Sequence, residues 1–165
     1  MTTIGNGHQH LLLPIDDSPP SKRAVEFVAR EAPGAEVTLF HVAALPPELI
    51  EHPGAEDPVE ETLLERKKAA QARGYQRAIE REGYDDLFAP AEERLARSGL
   101  TVHRKVVTQV HPRPAQAIID VVRDGAFDAV VLAHQDRGKI SEWLFSSVAE
   151  DVTDALGTER VTVVD

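Results

Sequence analysis

The sequence predicts an α/β domain: an open, doubly wound, five-stranded parallel sheet with helices on both faces. Three observations support this. Five short apolar runs alternate with segments of helical spacing, the pattern of a parallel sheet with crossover helices. Right-handed crossovers make the open doubly wound arrangement the simplest that fits them. At 165 residues, the chain suits one domain with a full hydrophobic core.

The elements follow in order. Residues 1–9, with Gly5, Asn6 and Gly7, read as a flexible lead-in, and 10–165 as the domain. The first strand is expected over His10 to Asp16. Ser18 can cap the next helix, and Pro19 and Pro20 open it where a missing N–H costs least. Ala24, Phe27 and Val28 form its apolar stripe, and Pro33-Gly34 stops it. The second strand, Glu36 to Val42, is mostly apolar. The Pro/Gly-rich stretch Ala43 to Pro58 is too long for a routine connection and reads as a lid, interaction loop or mobile segment.

Val59 to Arg81 is charged and helical in composition. Gly83 and Pro90 predict a break between them and a resumed helix to Ser98, with Gly99 as its stop. Thr101 to Val107 is the third strand, and its Arg104 and Lys105 suit a sheet edge. Pro114 opens a helix whose Ala117, Ile118, Val121 and Val122 face the sheet. Asp128 to Ala133 is the most buried-looking strand. A helix over Ser147 to Leu156 and a strand over Val161 to Val164 complete the chain.

Composition excludes several function classes. A formal charge of −10 opposes broad attraction to nucleic acid or anionic membrane. No cysteine is present, which removes disulfides, thiol catalysis and cysteine-ligated metal. No apolar run approaches the roughly 18 residues of a membrane span, and residues 1–10 lack the apolar core of a secretion signal. A soluble cytoplasmic domain is expected.

Two polar turns attract attention as a site. Asp16-Asp17 follows the first strand and His134 to Lys139 follows the fourth, and parallel sheets bind ligands beyond the carboxyl ends of their strands. The same acids can simply support a turn and a helix cap. Ser147 and Glu150 have capping-box spacing, and that helix end can also meet an anion. The seven histidines are scattered. His8 and His10 have no third ligand spaced to join them, and His41 and His134 read as hydrogen-bonding rather than catalytic. No catalytic set and no metal set emerges.

Residues 11–24, Leu39-Phe40-His41-Val42, Val130-Val131-Leu132-Ala133 and Gly138 to Glu150 resemble, in order and spacing, the universal stress proteins. The resemblance implies strand order 3-2-1-4-5 and a homodimer through the last strand. In one subclass it implies ATP between the ends of strands one and four. It carries Pro14, Asp16, Val42, Leu132, Ala133, Ser146, Ser147 and Val148 into the pocket, with Asp16 orienting a base or ribose. The ATP-binding subclass has Gly-x-x-Gly, nine residues, then Gly-Ser or Gly-Thr. Here those positions are Ala133, Asp136, Ser146 and Ser147, so the spacing survives while every glycine is replaced.

Glycines expose bare backbone N–H groups and reach φ > 0, which is how such a loop holds phosphate. Asp136 puts a carboxylate there instead; two like charges ~4 Å apart repel by roughly 4 kcal/mol at an effective dielectric of about 20. Arg137 and Lys139 can offset part of this. The expectation is a regulatory domain with a small-molecule pocket that takes an adenine nucleotide (ATP or AMP) and lacks robust ATPase activity. Two alternatives stay open: an ATP-binding member with weak hydrolysis, and a dimeric protein–protein adaptor with a vestigial pocket.

Overall fold

The computed structural model describes residues 9–44, 84–109, 111–134 and 145–165, with backbone only at 145–147. Its strands are β1 (His10–Pro14), β2 (Glu36–Ala44), β3 (Thr101–Gln109), β4 (Ala129–Ala133) and β5 (Val161–Val164). Its helices are α1 (Pro19–Glu31), α2 (Asp85–Arg97), α3 (Pro114–Asp124) and α4 (Phe145–Leu156). The strands form one sheet in the order β3-β2-β1-β4-β5, every neighbouring pair parallel.

Each face of the sheet carries its own core. Alternation sends Leu11, Leu13, Val37 and Leu39 to one side, where Ala24 and Val28 of α1 and Phe88 and Leu95 of α2 cover them. Leu12, Phe40, Val130 and Leu132 point the other way, against Ile118 and Val122 of α3 and Val148 and Val152 of α4. Each such fully buried side chain contributes about 1.5–3 kcal/mol of transfer free energy. The doubly wound arrangement is therefore two helical layers on one sheet.

Several boundaries differ from expectation, each for a local reason. β1 stops at Pro14 rather than Asp16, because the Asp16 N–H donates to the Ser21 hydroxyl (3.0 Å) instead of to a strand. β2 runs to Ala44 and β3 to Gln109, two residues beyond the predicted ends, since they pair continuously as far as Ala44↔Gln109. Ala43 and Ala44 are thus strand, while the rest of the 43–58 stretch and the 59–81 segment lie outside the described residues.

α2 begins at Asp85 and carries Pro90 in its interior, where a break had been expected. Pro90 deprives the Asp86 carbonyl of its intrahelical donor. Buried Phe88 and Leu95 and the ion pairs below hold the helix regardless. α4 opens at Phe145, so Ser147 occupies its first turn rather than its cap. Gly34 and Gly99 do stop their helices, with φ of 78° and 81°, a region where a side chain would be strained.

Charged residues bolt α2 in place. Arg104 of β3 reaches Glu92 (2.5 Å) and Asp85 (2.9 Å) and lies over the Phe88 ring, 5.5 Å from its centroid. Burial works against its charge, yet the hydrogen bonds to Glu92 and Asp85 outweigh that and raise its pKa above the ordinary arginine value. Arg94 grips Glu26 of α1 with two bonds (2.7 and 2.8 Å), and that hydrogen bonding lowers the Glu26 pKa. β3 is an edge strand, as its charges predicted.

At the amino ends of the strands, His10 bonds the buried Thr38 hydroxyl (2.8 Å) and packs on Phe127, 4.3 Å between ring centroids. His103 pairs with Glu36 (2.6 Å). Among the described residues no three or more His, Asp or Glu side chains are placed to hold a metal. No described helix is long and apolar enough to cross a membrane.

Candidate functional site

The strand order reverses direction of travel between β1 and β4, and this is the place where an open α/β sheet offers a crevice. The seam between them has a specific structure. β1 pairs with β2 along its whole length, from His10↔Glu36 to Pro14↔Phe40. With β4 it pairs only at Leu11↔Ala129 and Leu12↔Val130, although both strands continue beyond.

Strand alternation explains the early stop. In a parallel ladder, successive residues direct their N–H and C=O groups to opposite neighbours. The Gln9 carbonyl accepts from Glu36 and the Ile15 N–H donates to the Phe40 carbonyl (2.8 Å), so odd-numbered residues serve β2. Even-numbered residues therefore face β4. The next two after Leu12 are Pro14, which has no N–H, and Asp16, whose N–H is taken by the Ser21 hydroxyl. Both N–H donors are withdrawn from β4, and the paired register ends at Leu12↔Val130.

Asp16 sits at this rim, half-buried. Its carboxylate oxygen Oδ1 accepts the Ser18 N–H (2.9 Å), closing a turn two residues long. Ser18 in turn caps α1, accepting the Ser21 N–H at 3.4 Å. Across the seam, Arg23 of α1 donates to the carbonyl of His134, the residue that follows β4 (2.7 Å). The His134 N–H pairs with the Val164 carbonyl, and its exposed ring lies 3.9 Å from an Asp165 carboxylate oxygen. The rim thus carries acid on the β1 side and a guanidinium tying α1 to β4.

A cavity of about 350 Å³ adjoins Asp16, but it lies between α1 and α2 rather than between β1 and β4. Ile15, Val25 and Leu87 line it, together with the charged Lys22, Asp86 and Arg94. Arg94 is already committed to Glu26, and Lys22 stands 3.7 Å from Asp17. The cavity touches the predicted site only through Asp16 and its neighbours.

With this geometry in view, comparison with known proteins is informative. A profile described as the Universal stress protein family matches residues 7–156. This chain belongs to the universal stress protein family. No curated protein sequence matches it. Among solved structures, a universal stress protein in complex with cAMP is 18% identical, with a TM-score of 0.61 over 96% of this chain and 97% of that one. The universal stress protein from Archaeoglobus fulgidus in complex with dAMP is also 18% identical, with a TM-score of 0.52, covering 96% and 98%. A family member from Burkholderia pseudomallei matches at 18% identity and a TM-score of 0.51, covering 97% and 98%. At these identities the likeness is one of fold.

The universal stress protein fold gathers some of the expected site residues and leaves others apart. Val42, Leu132 and Val148 meet in the α3–α4 core, at most 6% exposed, where packing alone accounts for them. Ala133 faces the other core and is 2% exposed, and Pro14 is buried at the end of β1. Asp16 alone of these presents a charge at the rim. Asp136, Arg137 and Lys139, and the side chains of Ser146 and Ser147, lie outside the described residues.

Ser21 and Arg23 were not singled out by sequence. Ser21 had a signal, standing three residues after the cap in a helix-opening serine pair. Arg23 had none, since its partner is 111 residues away.

Proposed function

We propose that this universal stress protein is a cytoplasmic, homodimeric binding module. Its single domain, residues 10–165, takes an adenine nucleotide, preferentially a monophosphate, in the β1–β4 crevice and does not turn over ATP. The observation that carries the reading is the early end of the β1–β4 register, with Asp16 after β1 and Arg23 bonded to His134 after β4. The structures bound to cAMP and dAMP, which share the fold, support the ligand class.

A triphosphate fits the residues poorly. The first loop position is Ala133, which is strand backbone with its side chain buried in the core, and no described non-glycine residue has positive φ. Ala133 lacks the conformational freedom of the glycine it replaces, and the acid at position 136 of the sequence opposes further negative charge. A single phosphate places less charge against that acid. Asp16 has a carboxylate oxygen beyond the one used in its turn, and in this reading it accepts from the ribose or base. In this reading the backbone at the amino end of α4 meets the polar end of the ligand, and no group here is asked to act as acid, base or nucleophile.

Isothermal titration with AMP, cyclic AMP, ADP and ATP, with and without magnesium, tests this. AMP or cyclic AMP should bind more tightly than ATP by tenfold or more, about 1.4 kcal/mol, with no release of phosphate from ATP. Tightest binding to magnesium-ATP, or steady ATP turnover abolished by Asp16→Ala, would overturn it. Silence toward all four nucleotides would favour the adaptor reading.

A further inference from the structure

We infer that Pro14 and Ser21 act together as positioning residues for the proposed nucleotide site, by keeping the β1 amides at its rim from pairing with β4. Each removes one backbone N–H donor that would otherwise extend the β1–β4 ladder. This rests on the nucleotide reading above, and adds to it how the site is kept available.

The argument starts from an obligation of backbone chemistry. An N–H facing a neighbouring strand in a buried sheet pairs with it, because leaving it unpaired is costly. β1 and β4 are buried, adjacent and parallel, so a chain without special provision would lace them to their ends. The ladder instead stops at Leu12↔Val130. Continuing it requires the residue-14 N–H to reach the Val131 carbonyl, and then the residue-16 N–H to reach Ala133.

The first donor does not exist, since residue 14 is proline. The second is bound to the Ser21 hydroxyl at 3.0 Å, within a side chain only 3% exposed. Two unrelated devices, one covalent and one a hydrogen bond from the neighbouring helix, act on consecutive β4-facing positions. β1 stays in register with β2 throughout the same stretch, and Ile15 continues toward Phe40. The provision is therefore directed at the β4 side alone.

Ser21 has a second consequence. By fixing the Asp16 N–H it sets the turn in which Asp16 accepts from Ser18, so the rim carboxylate and the end of the ladder share one anchor.

The test uses the full-length protein with Pro14→Ala, which restores the missing donor, and Ser21→Ala, which releases the Asp16 N–H. Amide exchange by NMR reads the seam directly, and titration with AMP reads the site. In Pro14→Ala the new amide at position 14 should exchange on the order of a hundredfold more slowly than in an open peptide. AMP affinity should fall about fivefold, the equivalent of one net backbone hydrogen bond. Ser21→Ala should also weaken AMP binding while the protein stays folded.

Exchange of the position-14 amide at the open-peptide rate would overturn the inference. So would a protected amide accompanied by unchanged AMP affinity in both variants. If the unsubstituted protein binds no nucleotide while the position-14 amide is protected, the nucleotide reading falls and the withdrawn rung is supported by exchange alone.

Discussion

Asp16 has a local duty in its turn and, in the proposed function, a second one toward a ligand. Its Oδ1 is occupied by the Ser18 N–H, so part of its reason for being there is local folding. Substitution separates the two duties. Asp16→Asn keeps an acceptor for Ser18 and should cost less than about 0.5 kcal/mol, whereas Asp16→Ala should cost about 0.5–2 kcal/mol by urea titration. Both should weaken nucleotide binding in calorimetry, since both remove the charge. A second residue-scale expectation concerns Glu26, whose pKa Arg94 lowers from 4.5. A carboxyl with a depressed folded pKa stabilises above its unfolded value and loses that contribution as pH falls below it. Glu26→Gln should therefore lower stability near neutrality, where the contribution is present, and converge on the parent protein as pH falls below about 4.5, so that the acid limb is flatter, as thermal melts across pH would show. Residues of this kind were unevenly legible in sequence. Asp16 announced itself because an acid follows an apolar strand. Arg23 did not, because a contact between α1 and the end of β4 leaves no mark on local spacing.

Among the elements, α2 is the one whose sequence reading and structure disagree most. Pro90 argued for a boundary, yet the helix passes through it because tertiary contacts outweigh a local penalty: Phe88 and Leu95 are fully buried and Arg104 holds both Asp85 and Glu92. Pro90→Ala should restore the Asp86 carbonyl's partner and stabilise the protein by about 1–3 kcal/mol, read as a rise in the urea midpoint at constant slope. Arg104→Ala should do the reverse by about 1–2 kcal/mol, through lost packing on Phe88 as well as lost ion pairs. Strand types and the edge position of β3 were readable from apolar runs and from Arg104 and Lys105. The ends of β2 and β3 were not, because each strand is extended by pairing with the other, and register is not written in either segment alone.

On the scale of the whole molecule, the layer order follows from connectivity and handedness, which is why it was legible early. β5 closes one side of the sheet with only Val161 buried and the rest of Val161–Val164 half-exposed, and pairing with a second copy would cover it. Sedimentation at micromolar concentration should give a dimer, and Val163→Lys should shift it toward monomer. The crevice was readable as a location, since Asp16 and the turn after β4 both end strands. Why the β1–β4 register ends early was not readable, because it depends on which neighbour each β1 residue faces. β1 shares five paired positions with β2 and two with β4, so the second seam resembles a book joined along half its spine. A guest between the pages would act as a clasp, and the slowest motions of the domain would quieten as it settles.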